Sequence, residues 1–569
     1  MAKTLFVCYR NPKDEDFHTL GNNIAKRLEP DNVKASPPYI HATKNTFTLI
    51  YNPTPTIKVK DASVCLGMCE EVSEMIFEPN SSLPIGSYAL FRDGKTHIEI
   101  ATDYSASRTV WYYQNEDIFI ATSSQRMAIA FLGDFQFNDK TCGWFLCSGN
   151  LGPGNSWDKR LNLLPPRTRI LLNRKSWELK ISNKSNFNFT EEKSIHQHNY
   201  KQQLREVVKS SIHNLNINPS QWTLALSGGM DSRSLLYHLQ DKNLNSVTWG
   251  LKKALEYDSS DACIGKKLAS ITGIPHKYAE LDYRKGNFSA LIDRFTLAGE
   301  GRIDHLSGYF DALKFWGSQS ASGRGIIRGY DAFGRKPPVK NEYQVRRACN
   351  LEIFDDKLGT AKIPEKYRIC KDDIPIFLLR QENEALEDWR DRLWLQHRTP
   401  VTTASLEDIK LAYVEIVNPL LSKKIVEIIQ SLPIELRNNK KIWRSITSEM
   451  FPKVPFAKRE AVQEVSKIYN LPEVRDYICD YLRANLDSEI FSEPFLNQLI
   501  DSYGSDYKKE SFRRGLRRFI IAYMPKKIEN LIRGKMKSGF ISHQRLAVRA
   551  FLILKVNEMY LADALVRKS

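Results

Sequence analysis

The stretch at residues 222–240, WTLALSGGMDSRSLLYHLQ, constrains this chain more than any other. Residues 222–226 form a short apolar run suited to a buried strand. A turn of Ser227, Gly228, Gly229, Met230, Asp231 and Ser232 follows, and Leu235, Leu236 and Leu239 then recur at helical spacing. A strand that passes through a glycine-rich turn into a helix start gathers backbone N–H groups at the positive end of the helix dipole, which suits phosphate. Gly228 and Gly229 let backbone approach a phosphate with no Cβ in the way. Ser227 and Ser232 add hydroxyl donors, and Asp231 is a residue type that holds magnesium.

The next unit repeats the pattern. Residues 246–250 read as a strand ending at Gly250, and residues 257–273 as a helix with Ile264, Leu268 and Ile271 on one face. Strands alternating with helices from about residue 196 predict a parallel α/β domain. In such sheets ligands sit outside the carboxyl ends of the strands, which makes Leu226 and Gly250 candidate nucleotide contacts.

The chain has 569 residues, more than one core supports, so two domains are expected, at 1–195 and 196–569. The first is rich in β-like runs, at 45–51, 88–92, 98–102, 118–122 and 169–172, broken by turn residues. Residues 183–192 read as a linker, and the tail beyond about 440 as mostly helical. No apolar run approaches the ~20 residues of a membrane helix, and the apolar stretch near the start is too short for a signal peptide. A cytoplasmic protein with no membrane partner is expected.

Nine cysteines are scattered along the chain, and the two close pairs, Cys65 with Cys69 and Cys142 with Cys147, lack zinc-site spacing. Reduced, mostly buried thiols are expected. Net charge is +17, and residues 508–537 hold eleven Lys/Arg against two Glu. Few aromatics interleave with that charge, so an acidic substrate or carrier is favoured over nucleic acid as its partner.

The SGGMDS turn resembles the signature of PP-loop ATP pyrophosphatases. The resemblance implies ATP cleaved between its α and β phosphates, with AMP and pyrophosphate as products. Further segments are similar to the asparagine synthetase and β-lactam synthetase family. Residues 326–334, IIRGYDAFG, resemble its second loop, which implies nucleotide contact at Gly329 and a magnesium site shared by Asp331 and Asp231. Tyr330 stands where asparagine synthetases carry Glu and β-lactam synthetases carry Tyr. Residues 415–433, from Glu415 through Pro419 and Leu421 to Pro433, resemble the family's next segment, and Lys440 with Arg444 matches its KxxxR helix start. By that match Lys440 reaches the leaving pyrophosphate, and Tyr330, paired with Glu415 or Glu407, steers the proton of an attacking amine.

Residues 85–94, 102–113, 119–126 and 163–167 look like the glutaminase half of asparagine synthetases. The implied fold is an Ntn-type αββα sandwich followed by a PP-loop (adenine nucleotide α-hydrolase-like) α/β domain with a helical C-terminal part. Glutamine-using members carry Cys directly after the initiator Met, and Ala2 stands there instead. A catalytically dead first half and a glutamine-independent, ATP- and magnesium-dependent ligase follow from the resemblance. Such a ligase activates a small-molecule or peptide carboxylate as an acyl-adenylate and passes it to an amine. The alternatives are asparagine synthesis and, in another class, a non-catalytic ATP-binding or RNA-interacting protein.

Overall fold

The computed structural model describes residues 3–54, 56–70, 74–184, 187–189, 197–215, 217–284, 286–306, 312–330, 338–358, 363–462, 468–503 and 539–568. Ala2, Asp331 and the basic stretch 508–537 lie outside the described residues.

Among these residues the first half forms two antiparallel sheets of six strands each. Strand Lys3–Tyr9 lies inside the first sheet between Thr46–Tyr51 and Ile118–Thr122. Its side chains alternate faces, as a two-residue period requires. Phe6 and Cys8 point into the space between the sheets, where they meet Leu66, Phe91 and Ile100 of the second sheet. Leu5, Val7 and Tyr9 point outward beneath helices Phe17–Leu28 and Gln125–Leu132. The outer face of the second sheet is covered by the turn Glu74–Phe77, with Ile76 on Cys65, Tyr88 and Leu90. Helix, sheet and sheet are thus three continuous layers, and the fourth is a single 3-10 turn.

The second half builds a five-stranded parallel sheet in the order His276–Glu280, Asn245–Gly250, Trp222–Ala225, Gly325–Ile327, Ile416–Val417. The chain starts in the middle, moves outward through two strands, and returns on the other side of Trp222–Ala225. The strand order therefore reverses at the carboxyl end of Trp222–Ala225, where open α/β sheets bind ligands. The predicted strand at 222–226 and the predicted helix after it are both present, as Trp222–Ala225 and Met230–Leu239.

Among the described residues of the 183–192 stretch, Phe187 is fully buried, edge-on to Tyr104 at 5.5 Å. The tail is helical at Lys441–Glu449, Pro472–Arg483, Glu493–Ser502 and His543–Ala564, but residues 450–462 are not. Pro452 and Pro455 lack the N–H a helix needs, and this stretch turns at 451–454 and then runs on as an irregular strap. Helix His543–Ala564 crosses back onto the first half, where Asp563 takes Arg27 and Arg126, each at 2.7 Å. Among the described residues, no helix is long and apolar enough to cross a membrane.

Candidate active site

The turn after Trp222–Ala225 is held by its own hydroxyls. Ser227 N–H donates to Ser232 Oγ at 3.1 Å, Gly229 N–H to Ser227 Oγ at 3.2 Å, and Ser232 Oγ–H to Ser227 O at 3.0 Å. Helix Met230–Leu239 starts at Gly229 with no side-chain cap, so its positive end faces the turn. Gly228 N–H donates to the carboxylate of Asp261 at 3.0 Å, a carboxylate seated where the motif is suited to bind an anion. Close packing explains the first glycine: a Cβ at Gly228 would meet Ala457 Cβ at 2.4 Å.

Asp231 and Lys440 were predicted as separate functions, one for metal and one for pyrophosphate. The structure brings them together, with Lys440 Nζ 3.0 Å from the Asp231 carboxylate and Trp443 Nε1–H donating to it at 2.8 Å. Lys440 sits at the start of helix Lys441–Glu449 with φ 54°, a left-handed conformation that costs a non-glycine residue about 1–2 kcal/mol. Such strain gathers at functional sites. Gly329 packs directly on Asp231, and a Cβ there would meet Asp231 Cβ at 2.7 Å. The loop after strand Gly325–Ile327 can reach the first loop only with glycine at that position. Asp331, the predicted second magnesium ligand, lies outside the described residues.

Sequence reasoning missed the strap. Ala457 N–H donates to Gly228 O at 3.0 Å, and Leu251 N–H to Ala461 O at 2.7 Å. Gly250 closes under it: a Cβ there would meet Ala461 O at 2.5 Å. The strap is anchored by Arg233, fully buried, whose guanidinium donates to Val454 O and Pro455 O at 2.8 Å each and lies 4.1 Å from the Phe456 ring centroid. Burial lowers Arg233 to about 10. The available signal was Arg233 itself, a charge amid apolar helix positions.

Next to Gly329 a pocket opens between the halves, lined among others by Ser107, Arg108, Tyr330, Thr403, Glu407 and Asn418. Asn418 Nδ2–H donates to Tyr330 O at 2.7 Å, and the Arg328 guanidinium lies 4.6 Å from the Tyr330 ring centroid. Glu415 does not partner Tyr330. Its buried carboxylate forms an ion pair with Arg108 of the first half, and its backbone carbonyl accepts from Ile326 N–H at 2.7 Å. The acid near Tyr330 is Glu407, 2.8 Å from Arg328 and 3.2 Å from Lys410. Burial pushes the Glu407 carboxyl up, but Arg328, Lys410 and Arg108 outweigh it and hold the group below its ordinary range. Burial and Arg328 bring Lys410 down to about 7, against the pull of Glu407, which favours its charge. Thr399 and Thr403 reach the pocket from a π-helical stretch, Trp394–Thr403, that contains Pro400. Such stretches recur at functional sites and left no period in the sequence.

The first half offers no described nucleophile of the glutaminase kind. Cys8 lies inside strand Lys3–Tyr9, fully buried, and Arg174 donates to its sulfur at 3.3 Å. Burial raises the Cys8 thiol to about 11. The protein is expected to release no glutamate from glutamine, and Cys8→Ser should change nothing. Release that disappears in Cys8→Ser would restore a glutaminase.

No family model and no curated protein matches the sequence. Solved structures similar to it include the following three. One is an allosteric regulatory enzyme of purine biosynthesis, at 9% identity and TM-score 0.21, over 43% of this chain and 64% of that one. Another is the glutamine phosphoribosylpyrophosphate amidotransferase of B. subtilis in complex with ADP and GMP, at 9% identity and TM-score 0.19, over 59% and 82%. The third is the NMN synthetase of Francisella tularensis, at 15% identity and TM-score 0.16, over 38% and 93%. This chain spans less than two thirds of the first of them, and at these scores the likenesses carry no weight for the chemistry, which rests on the residues themselves.

Proposed function

We propose that this protein is an ATP-dependent C–N ligase that joins a substrate carboxylate to an amine, releasing AMP and pyrophosphate. The observation that carries this reading is the Ser227–Ser232 turn at the reversal of strand order, with Lys440 held 3.0 Å from Asp231. ATP would lie on Leu226, Ser227, Gly228, Gly229 and Ser232, with Gly250 and Gly329 giving it backbone clearance. Asp231 would hold magnesium together with Asp331, and the ion would neutralise phosphate charge. The substrate carboxylate attacks the α-phosphate, and Lys440 with the helix N–H groups stabilises charge building on the leaving pyrophosphate.

The amine enters the pocket between the halves, where Tyr330 meets it and Glu407 and Lys410 lie behind. These groups take and pass the amine's proton as the C–N bond forms. Glu415 acts at a distance by fixing Arg108 at the pocket wall. The chemistry suits a substrate whose amine and carboxylate lie in one molecule, closing a lactam or macrolactam in natural-product or peptide synthesis. The basic stretch 508–537 draws an acidic substrate or carrier toward the site.

The test is product identity. Purified protein with ATP, magnesium and pools of amino-carboxylate substrates is expected to yield AMP and pyrophosphate, with KM rising as salt screens the basic stretch. ADP and phosphate as products would sink the reading.

A further inference from the structure

Cys65 and Cys69 lie four residues apart in strand Ser63–Cys69, yet their sulfurs are 3.6 Å apart. A regular strand rises about 3.3 Å per residue and holds such positions about 13 Å apart. The bend that closes the gap falls on Gly67, at φ 89°. A Cβ at Gly67 would meet Ser87 O at 2.2 Å, and one at Gly86 on the paired strand would meet Met68 O at 2.2 Å. Both strands need glycine for this bend, and the product of the bend is a thiol–thiol contact. Cys65 is buried and Cys69 is partly open to solvent, so a reagent reaches the pair through Cys69. Among the described residues, no group of three or more His, Cys, Asp or Glu could hold a metal ion.

We infer that Cys65 and Cys69 are a reversible dithiol–disulfide site that reacts with small disulfides of the glutathione class. The Cys69 thiolate attacks the small disulfide, forming a mixed disulfide and releasing one thiolate. The Cys65 thiolate then attacks the Cys69 sulfur, forming the Cys65–Cys69 bond and releasing the second. The protein loses two electrons and two protons, and one disulfide becomes two thiols. The sulfurs need only close from 3.6 Å to a bond length of about 2.05 Å. The two sulfurs share a hydrogen bond in which either can donate, so each is held facing the other for the second step.

The site is placed to be felt beyond the sheet. Met68, between the two thiols, packs on the core of the second half. Glu70, just past them, is 3.1 Å from Lys424 on helix Lys423–Ser431. Changing the bend changes how this strand end meets the second half.

Trypsin leaves both thiols on one peptide, residues 61–92, because no Lys or Arg lies between Asp61 and Arg92. The native full chain, incubated with glutathione disulfide, acid-quenched, alkylated and digested, is expected to give this peptide two hydrogens lighter and unalkylated. Dithiothreitol should reverse the change, and Cys65→Ser or Cys69→Ser should abolish it. The wild-type peptide reads the outcome directly, so the result does not depend on either variant folding. Two alkylated thiols, or a lasting glutathione adduct on Cys69 beside an alkylated Cys65, would overturn the inference.

Discussion

Asp231→Asn and Ser227→Ala are each expected to cut pyrophosphate exchange into ATP by about 10²–10³-fold or more, the usual effect of removing one transition-state stabilising group. The two act by different routes. Ser227 ties the turn to Ser232 and Gly229 through its hydroxyl, and losing it loosens the N–H nest. Asp231→Asn removes the charge that would hold magnesium and also leaves Lys440, 7% exposed, without its carboxylate. An unpaired buried ammonium can destabilise the fold on its own. Circular dichroism and thermal unfolding of both variants separate that effect from lost chemistry. Ser227→Ala leaves every charge in place, so exchange that survives in it, with the fold intact, counts against the phosphate-loop reading.

Asp563→Ala is expected to lower the opening free energy of helix His543–Ala564 by about 3–5 kcal/mol, the scale for breaking a buried ion pair by removing one partner. Asp563 is fully buried, and its two oxygens take Arg126 Nε at 2.7 Å, Arg126 Nη2 at 2.9 Å and Arg27 Nε at 2.7 Å. Removing the carboxylate takes from Arg126, itself 2% exposed, the counter-charge that pairs with it directly, and Glu300 offsets only part of the loss. The helix is held to the first half at its far end by this contact and further back by Arg549, whose guanidinium donates to Leu146 O at 2.7 Å and to Cys147 O at 2.9 Å. Amide hydrogen exchange along the helix measures the change, since a two-domain chain need not unfold in one step. Unchanged protection in the last turns would mean that apolar packing alone holds the helix down.

Cys8 and the pair Cys65 and Cys69 show how far a sequence reading of single residues extends. Cys8 stands in an apolar run, and strand Lys3–Tyr9 forms there from neighbours a few residues away. The spacing of Cys65 and Cys69 excluded a zinc motif but could not show that they touch. That contact needs the bend at Gly67, where Ser87 O of the paired strand leaves no room for a Cβ.

The sequence by itself determined the glycine-rich turn, its strand and helix, the parallel α/β order of the second half and the β-rich first half. These features depend on side-chain period, glycine placement and helix starts, all of which act within about one element's length. Only the tertiary structure decided which charges meet. Lys440 lies 209 residues from Asp231, Glu407 lies 79 from Arg328, and Arg126 lies 437 from Asp563. The resemblance offered Glu415 or Glu407 as the partner of Tyr330, and the structure pairs Glu415 with Arg108 of the other half. A charge carries no local mark of its partner. Burial removes water as the alternative, and whichever opposite charge the packing brings within reach becomes the partner.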